Sequence, residues 1–362
     1  MRPTTIADTA EALTPEWLTQ ALASSGHLEG ATIPSVETQP LGTGQMCDSV
    51  RIAVTYDRPT AAPTSLVAKL PATDPTSRNT AMMLRNYVKE VSFYRHLVDG
   101  LEIRTPQVYY ADIDDSGVVF ILLMQDMAPA EQGDQLAGCT PEVARAALRE
   151  MVGLHAPRWN DATLKQFDWL YSDPEQGRSM SLSMLPMLWN GFVDRYDDQL
   201  SDEVRTAGRT LFENIGAYVA DLGGPKTIVH GDYRLDNLLL GPGTDDVAVV
   251  DWQTIAYGPA ASDAAYFIGA GLLPDVRREH EDELLRAYYD GLLAAGVTGF
   301  TWDECRRDYR RATFAGLVMA VGASMLVERT ERGDRMFMVM AERHAQHALD
   351  LDALAMLGSG GR

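Results

Sequence analysis

The stretch "IVHGDYRLDNLLL", residues 228–240, sets a dense polar loop between two apolar ends. His230, Asp232 and Asn237 fall within eight positions, and the Asp and the Asn are five residues apart. The apolar ends predict that both sides of the loop are anchored in a core. Asp251 follows fourteen residues after Asn237, directly after the run "VAVV", which is typical of a buried strand. The sequence therefore predicts acceptor oxygens on adjacent hairpin elements.

These residue types indicate a particular chemistry. Carboxylate and amide oxygens are hard ligands that suit Mg²⁺, which keeps several waters and takes further ligands from phosphate groups. Zinc would require His or Cys at this spacing. An aspartate left free beside the metal can orient or deprotonate a hydroxyl group. A polar turn with unrelated acids is the alternative, and the combination of loop, spacing and second Asp disfavours it.

The motifs "HGDYRLDN" and "VVDWQ" resemble the catalytic and metal-binding motifs of the aminoglycoside phosphotransferase family. That family shares the protein-kinase-like fold with choline kinases and ecdysteroid-kinase-like proteins. Protein kinases carry His-Arg-Asp, an Asn five residues after the Asp, and then Asp-Phe-Gly. This sequence has Gly231 in place of the Arg, and Trp252 and Gln253 in place of Phe and Gly. Both departures favour the small-molecule kinases, and the resemblance covers about residues 36 to 330.

The resemblance implies a role for each motif residue. Asp232 would be the catalytic base, and Asn237 and Asp251 would be the Mg²⁺ ligands. Lys69, in the strand-like segment "SLVAKLP", would contact the α- and β-phosphates, and Glu90 in the next helix would pair with it. Without the resemblance, Lys69 would be read as an edge or solvent-exposed lysine and Glu90 as a solvated helix acid.

The nucleotide contacts follow less directly from the sequence. In "LGTGQMCDSV", Gly42 and Gly44 lie between two strands, and backbone N–H groups up to Ser49 could cradle phosphate. The segment lacks the third Gly of the protein-kinase pattern, and a plain hairpin turn explains two glycines equally well. An adenine ring would hydrogen-bond to backbone at the end of "FILLMQDM", at Gln125 and Met127.

Three further polar residues are assigned to structure. Asp263, in "GPAASDAAYFI", resembles a family Asp that follows the metal motif, and its role there is mainly structural. His230 is expected to hold the loop backbone. His155 is expected to pack at a helix end.

The chain of 362 residues predicts an α+β, two-lobed protein-kinase-like fold. The β-rich N-terminal lobe would span residues 1–127 and contain a small sheet interrupted by one helix, "AMMLRNYVKEVSFYRHLVD". The mostly α-helical C-terminal lobe would span 128–362, with a helical insert at about 160–225. Thr301 and Glu304 predict a capping box that opens the long apolar helix "ATFAGLVMAVGASMLV".

Composition limits the partners and the compartment. The net charge of −20 argues against a nucleic-acid partner and against docking on an anionic membrane surface. The longest uncharged run has 16 residues, which is short of the roughly 20 that a membrane span needs. Three distant cysteines and no signal-peptide pattern favour a reducing cytoplasm.

The sequence thus predicts an ATP-dependent phosphotransferase, with GTP as the alternative nucleotide, that uses Mg²⁺ and acts on a hydroxylated small molecule. A nucleotide-binding pseudokinase or scaffold is disfavoured, because the Lys, both Asp and the Asn are all present. A protein kinase is disfavoured, because an Ala-Pro-Glu segment and an activation loop are missing. The acceptor stays open. The acid-rich "FVDRYDDQLSDEV" fits a cationic substrate or a solvated helix face, and the apolar insert fits a less polar alcohol.

Overall fold

The computed structural model describes residues 3–42, 46–171, 173–220 and 223–358. The chain folds as two compact units. The first unit contains the residues up to Gly100, Thr105–Ala128 and Asp251–Thr254. The second contains Leu101–Arg104, Pro129–Val250 and the residues from Ile255 onward. Asp251–Thr254 belong to the first unit, although the residues just before and just after them in the chain belong to the second.

An antiparallel sheet dominates the described residues of the first unit, with the strand order β1-β2-β3-β5-β4. The strands are β1 Ser35–Pro40, β2 Cys47–Thr55, β3 Ser65–Pro71, β4 Val108–Ile113 and β5 Phe120–Gln125. In β2 the buried Val50, Ile52 and Val54 alternate with more exposed residues, so one face of this strand lies on the core. The helices are α1 Pro15–Ser24, α2 Pro75–Met83 and α3 Asn86–His96.

The single helix expected after β3 is wrong, because the structure has two helices there. Arg85, between α2 and α3, adopts a left-handed conformation with φ of 58°. A non-glycine residue in this region cannot continue a right-handed helix. Tyr87 and Val91 are buried on α3, whereas Met83 before the break is exposed. The apolar period continues through the break, and for this reason it predicted one helix.

The second unit is mostly helical. Its helices are α4 Pro141–His155, α5 Pro174–Tyr196, α6 Asp202–Glu213, α7 Ile215–Ala220, α8 Ala261–Gly271, α9 Pro274–Ala294, α10 Trp302–Ala312, α11 Phe314–Leu326 and α12 Glu331–Asp350. Its strands are β6 Glu131–Gln132, β7 Lys226–Val229, β8 Leu238–Leu240, β9 Val247–Val249 and β10 Ala256–Pro259. Side chains of α5, α6, α11 and α12 share one apolar core. The predicted α+β class is confirmed.

The capping box of Thr301 and Glu304 is present, but it opens α10 rather than the apolar helix. The apolar run forms the separate helix α11, and Thr313 lies at the break. The Thr313 hydroxyl donates to the Arg310 carbonyl at 2.9 Å, which competes with the helical hydrogen bonds at this point.

The described helices and the three cysteines bear on the predictions about membranes and thiols. Among the residues that the structure describes, no helix is both long and apolar enough to cross a membrane. Cys47, Cys139 and Cys305 are free thiols. Cys47 in the first unit and Cys305 in the second are buried, and burial raises the pKa of each to about 12.

Candidate active site

Lys69 and Glu90 form a buried ion pair in the first unit. Lys69 lies on the central strand β3, and Glu90 lies on α3 and is fully buried. The Lys69 Nζ atom is 2.7 Å from Glu90 Oε1 and 2.8 Å from Oε2. The structure thus brings together Lys69 and Glu90, which were expected from the sequence to form a pair.

Asp251 adds a second carboxylate to this lysine. Its Oδ1 atom is 3.2 Å from Lys69 Nζ. Asp251 adopts a left-handed conformation with φ of 68°, which aspartate tolerates better than most residues. The next residue, Trp252, donates its backbone N–H to Glu90 at 3.3 Å and stacks its ring on Phe93 at 3.9 Å. These contacts hold Trp252, the residue next to Asp251, against α3.

The charges around Lys69 keep it protonated. Burial alone lowers the pKa of Lys69, but Asp251 and Glu90 together raise it well above its ordinary value. Two carboxylates around one ammonium leave an excess of negative charge. The Asp251 side chain is 37% exposed, so a soluble ligand or cation can reach it. An oxygen ligand of this kind fits Mg²⁺.

Asp232 lies in the second unit and accepts hydrogen bonds at both of its carboxylate oxygens. Oδ2 accepts from Arg234 Nε at 3.0 Å and from Asn237 Nδ2 at 2.9 Å. Oδ1 accepts from the Tyr266 hydroxyl at 2.6 Å. The side chain is 18% exposed. The loop thus presents an oriented carboxylate that solvent can still reach.

Asp263 shapes the loop that carries Asp232. Its buried carboxylate accepts the backbone N–H of His230 at 2.6 Å and that of Gly231 at 2.9 Å, and it lies 3.2 Å from His155 Nε2. Gly231 has φ of 81°, a conformation that favours glycine. The His230 ring contacts the Val250 carbonyl at 3.0 Å. His230 and Asp263 therefore have the structural positions expected of them, and His155 supports Asp263.

Asp236, four residues after Asp232, is held by arginines. It is buried, and its oxygens lie 2.8 Å from Arg234 and 3.0 to 3.1 Å from Arg332. Burial raises the pKa of Asp236, but the hydrogen bonds and charges of Arg332 and Arg234 lower it below its usual range. Because its carboxylate oxygens are paired with these arginines, Asp236 stabilises the loop.

Asn237 closes the loop. Its Nδ2 atom donates to both the backbone carbonyl and the Oδ2 atom of Asp232. The nitrogen end of the amide is therefore occupied, and the oxygen end is the part that can bind a cation. The Asn237 carbonyl accepts from the Val250 N–H at 3.0 Å, which joins the loop to the end of β9.

The predicted phosphate loop lies only in part within the described residues. Gly42 has φ of 71°, so the chain turns there as glycine permits. Gly44 lies outside the described residues. Ser49 pairs directly with Lys69 across β2 and β3, which places both side chains on the same face of the sheet.

The predicted base contacts lie at and just after the end of β5. The N–H of Gln125 donates to the Gln107 carbonyl at 2.8 Å, so this N–H is already occupied. Met127 follows the strand and is half-buried.

Sequence reasoning missed three residues that contact the predicted site: Arg234, Tyr266 and Arg332. Arg234 lies inside the quoted loop, two residues after Asp232, so the sequence already shows it close to that carboxylate. Tyr266 is three residues after Asp263, which puts both on nearby positions of α8. Arg332 is 96 residues from its partner Asp236, and no local spacing predicts such a contact.

The profile of the phosphotransferase enzyme family, APH, matches residues 49–307, which is more than half of the chain. The chain belongs to this family. The resemblance inferred from its loop motifs is confirmed. A search of curated proteins found no significant match.

Solved structures establish the fold of this APH family member. A choline kinase from Cryptosporidium parvum Iowa II has a TM-score of 0.55 at 10% identity, over 88% of this chain and 89% of that one. A Plasmodium vivax ethanolamine kinase has the same TM-score and identity, over 94% and 90%. The GDP complex of aminoglycoside 2'-phosphotransferase-IIIa has a TM-score of 0.50 at 15% identity, over 91% and 98%. The predicted protein-kinase-like fold is confirmed.

Proposed function

We propose that this chain is a Mg²⁺-dependent kinase that transfers the γ-phosphate of ATP, or of GTP, to a hydroxyl group of a small molecule. The observation that carries the proposal is the buried Lys69–Glu90 pair with Asp251 as a second partner of the lysine. An ammonium fixed in this way suits the α- and β-phosphates of a nucleotide. Membership of a phosphotransferase family supports the same conclusion.

In this proposal Asp232 is the catalytic base. Its carboxylate accepts the proton of the substrate hydroxyl, and the three donors that hold it fix its orientation. Asn237, through its amide oxygen, and Asp251, through its carboxylate, are the protein ligands of Mg²⁺. When bound, the metal neutralises charge on the phosphate oxygens. Lys69 positions the phosphates, and Glu90 holds Lys69.

The proposal assigns the nucleotide to backbone groups of the first unit. The phosphates would lie against the loop that runs from Gly42 through Gly44 to Ser49. The base would hydrogen-bond to the carbonyl of Gln125 and to the backbone of Met127. Gln125 contributes its carbonyl because its N–H is already bonded. One solved protein of similar fold is a GDP complex, and this supports nucleotide binding by such a fold.

The acceptor is proposed only as a small alcohol. The acid-rich segment gives little support to a cationic substrate, because three of its five acids have local roles. Asp197 pairs with Arg205 at 2.8 Å, and Asp202 and Glu203 lie in the first turn of α6, where acidic side chains stabilise the helix end.

A phosphorylation screen tests this function. The purified chain is incubated with Mg²⁺, with ATP or GTP, and with panels of hydroxylated metabolites and antibiotics, and products are read by mass spectrometry. The matched control is Asp232→Asn, which keeps the shape of the side chain and loses the base. We expect a phosphorylated product with the wild type, only a small residual rate with Asp232→Asn, and nearly equal Mg·ATP affinity for both proteins by calorimetry. Nucleotide binding with no transfer to any acceptor or to water would favour the pseudokinase alternative. Absence of nucleotide binding would refute both.

A further inference from the structure

Helix α8 contacts the catalytic loop at two places. Asp263, in its first turn, accepts the loop amides of His230 and Gly231. Tyr266, three residues later, donates its hydroxyl to Asp232 at 2.6 Å, which is the shortest of the three hydrogen bonds to that carboxylate. The same helix therefore fixes both the backbone of the loop and the side chain proposed as the base.

The hydrogen bonds to Asp232 distinguish its two oxygens. A carboxylate offers about two acceptor positions on each oxygen. Oδ2 accepts from Arg234 and from Asn237, so both of its positions are filled. Among the described residues, Oδ1 accepts from Tyr266 and keeps one position. A substrate hydroxyl would donate to that remaining position on Oδ1, beside the tyrosine.

Tyr266 itself is held in place. It is buried, and its ring stacks on His344 with a centroid distance of 5.3 Å and an interplanar angle of 15°. Burial raises the pKa of the Tyr266 hydroxyl well above its ordinary value, and the neighbouring Asp232 adds to this. The phenol therefore keeps its proton and donates to the carboxylate.

We infer that Tyr266 is a positioning residue for phosphoryl transfer, because its hydroxyl orients Asp232 and leaves Oδ1 a single acceptor position for the substrate. The inference rests on the proposed function. In the transfer, the O–H bond of the substrate breaks and its proton passes to Oδ1. The substrate oxygen forms the new bond to the γ-phosphorus. The bond from that phosphorus to the bridging oxygen breaks, and its electron pair leaves with the nucleoside diphosphate.

The first test replaces Tyr266 with Phe, which keeps the ring and its stacking on His344. The assay is release of inorganic phosphate from Mg·ATP, with water as the acceptor. We expect kcat to fall tenfold or more, because hydrogen bonds to a charged group are among the strong ones, while KM and the calorimetric Kd for Mg·ATP change less than twofold. The matched control is Tyr309→Phe. Tyr309 is also buried and donates to a carboxylate, that of Glu281, at 2.7 Å. Its kcat should match that of the wild type.

A second test separates positioning from a structural role. In the background of Asp232→Asn, the change Tyr266→Phe should alter the residual rate less than twofold, because the carboxylate that it positions is gone. An equal loss of rate in both backgrounds would overturn the inference. So would a kcat for Tyr266→Phe within twofold of wild type, or a loss matched by Tyr309→Phe at equal melting temperature.

The same variants distinguish failure of this inference from failure of the proposed function. A wild type that binds no Mg·ATP and releases no phosphate refutes the proposed kinase function. It also refutes a role for Tyr266 in phosphoryl transfer. The coupling between Tyr266 and Asp232 in the free energy of unfolding would still report their contact. An active wild type with an equally active Tyr266→Phe refutes the inference alone.

Discussion

Replacing Lys69 with Met leaves the carboxylate of Glu90 buried without its cation. Glu90 is fully buried and Lys69 Nζ lies 2.7 and 2.8 Å from its two oxygens. Removing one partner of a buried pair costs about 3–5 kcal/mol. Asp251, the other partner, is 37% exposed and can be solvated, so it adds little. We therefore expect the free energy of unfolding of the first unit to fall by about 3–5 kcal/mol at pH 8.

The loss should depend on pH in a direction that the structure sets. Burial raises the pKa of Glu90, and Lys69 opposes that effect in the wild type. In Lys69→Met the opposing charge is gone, so the folded-state pKa of Glu90 lies above the unfolded value of about 4.3. The folded variant then binds more protons than the unfolded chain, and its stability rises as pH falls through the raised pKa. The deficit should be largest at pH 8 and shrink towards pH 5.

Native-state hydrogen exchange measures this, because peptides from β3 and α3 report opening of the first unit even where the second unfolds separately. Protection is compared at pH 8 and pH 5 after correction for intrinsic exchange. The double variant Lys69→Met with Glu90→Gln should recover part of the loss and show no recovery in acid. Lys89→Met, on the same helix, is the matched control and should cost less than about 1 kcal/mol. A loss from Lys69→Met that is the same at both pH values would refute the buried-charge reasoning.

Four further substitutions have expected outcomes. A Cβ at Gly316 would overlap Nε2 of the buried His344, so Gly316→Ala should lose about 1–3 kcal/mol of stability in urea unfolding. Gly322→Ala, in the same helix, is the matched control; its Cβ would have nothing within 4 Å, and it should gain about 0.5–1 kcal/mol. Glycine adopts the left-handed conformation of Asp251 without strain, so Asp251→Gly should keep the fold. Because it removes the proposed metal ligand, it should weaken Mg·ATP binding at least a hundredfold by calorimetry. Unchanged affinity would exclude Asp251 as the metal ligand. Burial raises the pKa of Asp263, but its hydrogen bonds lower that pKa below the usual range. The stability that the Asp263 carboxylate gives the fold should therefore be present above about pH 4 and be lost as pH falls through the folded-state pKa. Asp263→Asn should lose about 1–3 kcal/mol at pH 7, and melting curves should show this deficit vanish in strong acid.

Local patterns predicted the parts of the site that lie on regular elements. The β-branched run around Lys69 and the helical period around Glu90 placed these residues on β3 and α3, and the structure pairs their side chains. The apolar ends of the quoted loop predicted that both sides are anchored in a core, and Ile228, Val229 and Leu238 are buried. In each case the burial of one face or one run fixes the element, and this information is contained within a few residues.

Other features depend on contacts that no short segment contains. Arg85 breaks a helix although the apolar period continues on both sides of it. The contact of Arg332 with Asp236 joins positions 96 residues apart. Tyr266 reaches Asp232 because Asp263 on the same helix binds the loop amides, and neither tyrosine burial nor its hydrogen-bond partner is visible in the sequence. Tertiary packing decides such features, and local propensity does not.

The buried thiols supply each unit with an internal reporter of its own opening. Cys47 belongs to the first unit and Cys305 to the second, and burial raises the pKa of both to about 12. Alkylating reagents attack the thiolate, so the folded chain should react with iodoacetamide far more slowly than free cysteine does. Labelling then requires the surrounding structure to open, and the identity of the labelled peptide tells which unit opened. The two labelling rates, read from one digest, would give separate opening free energies for the two units.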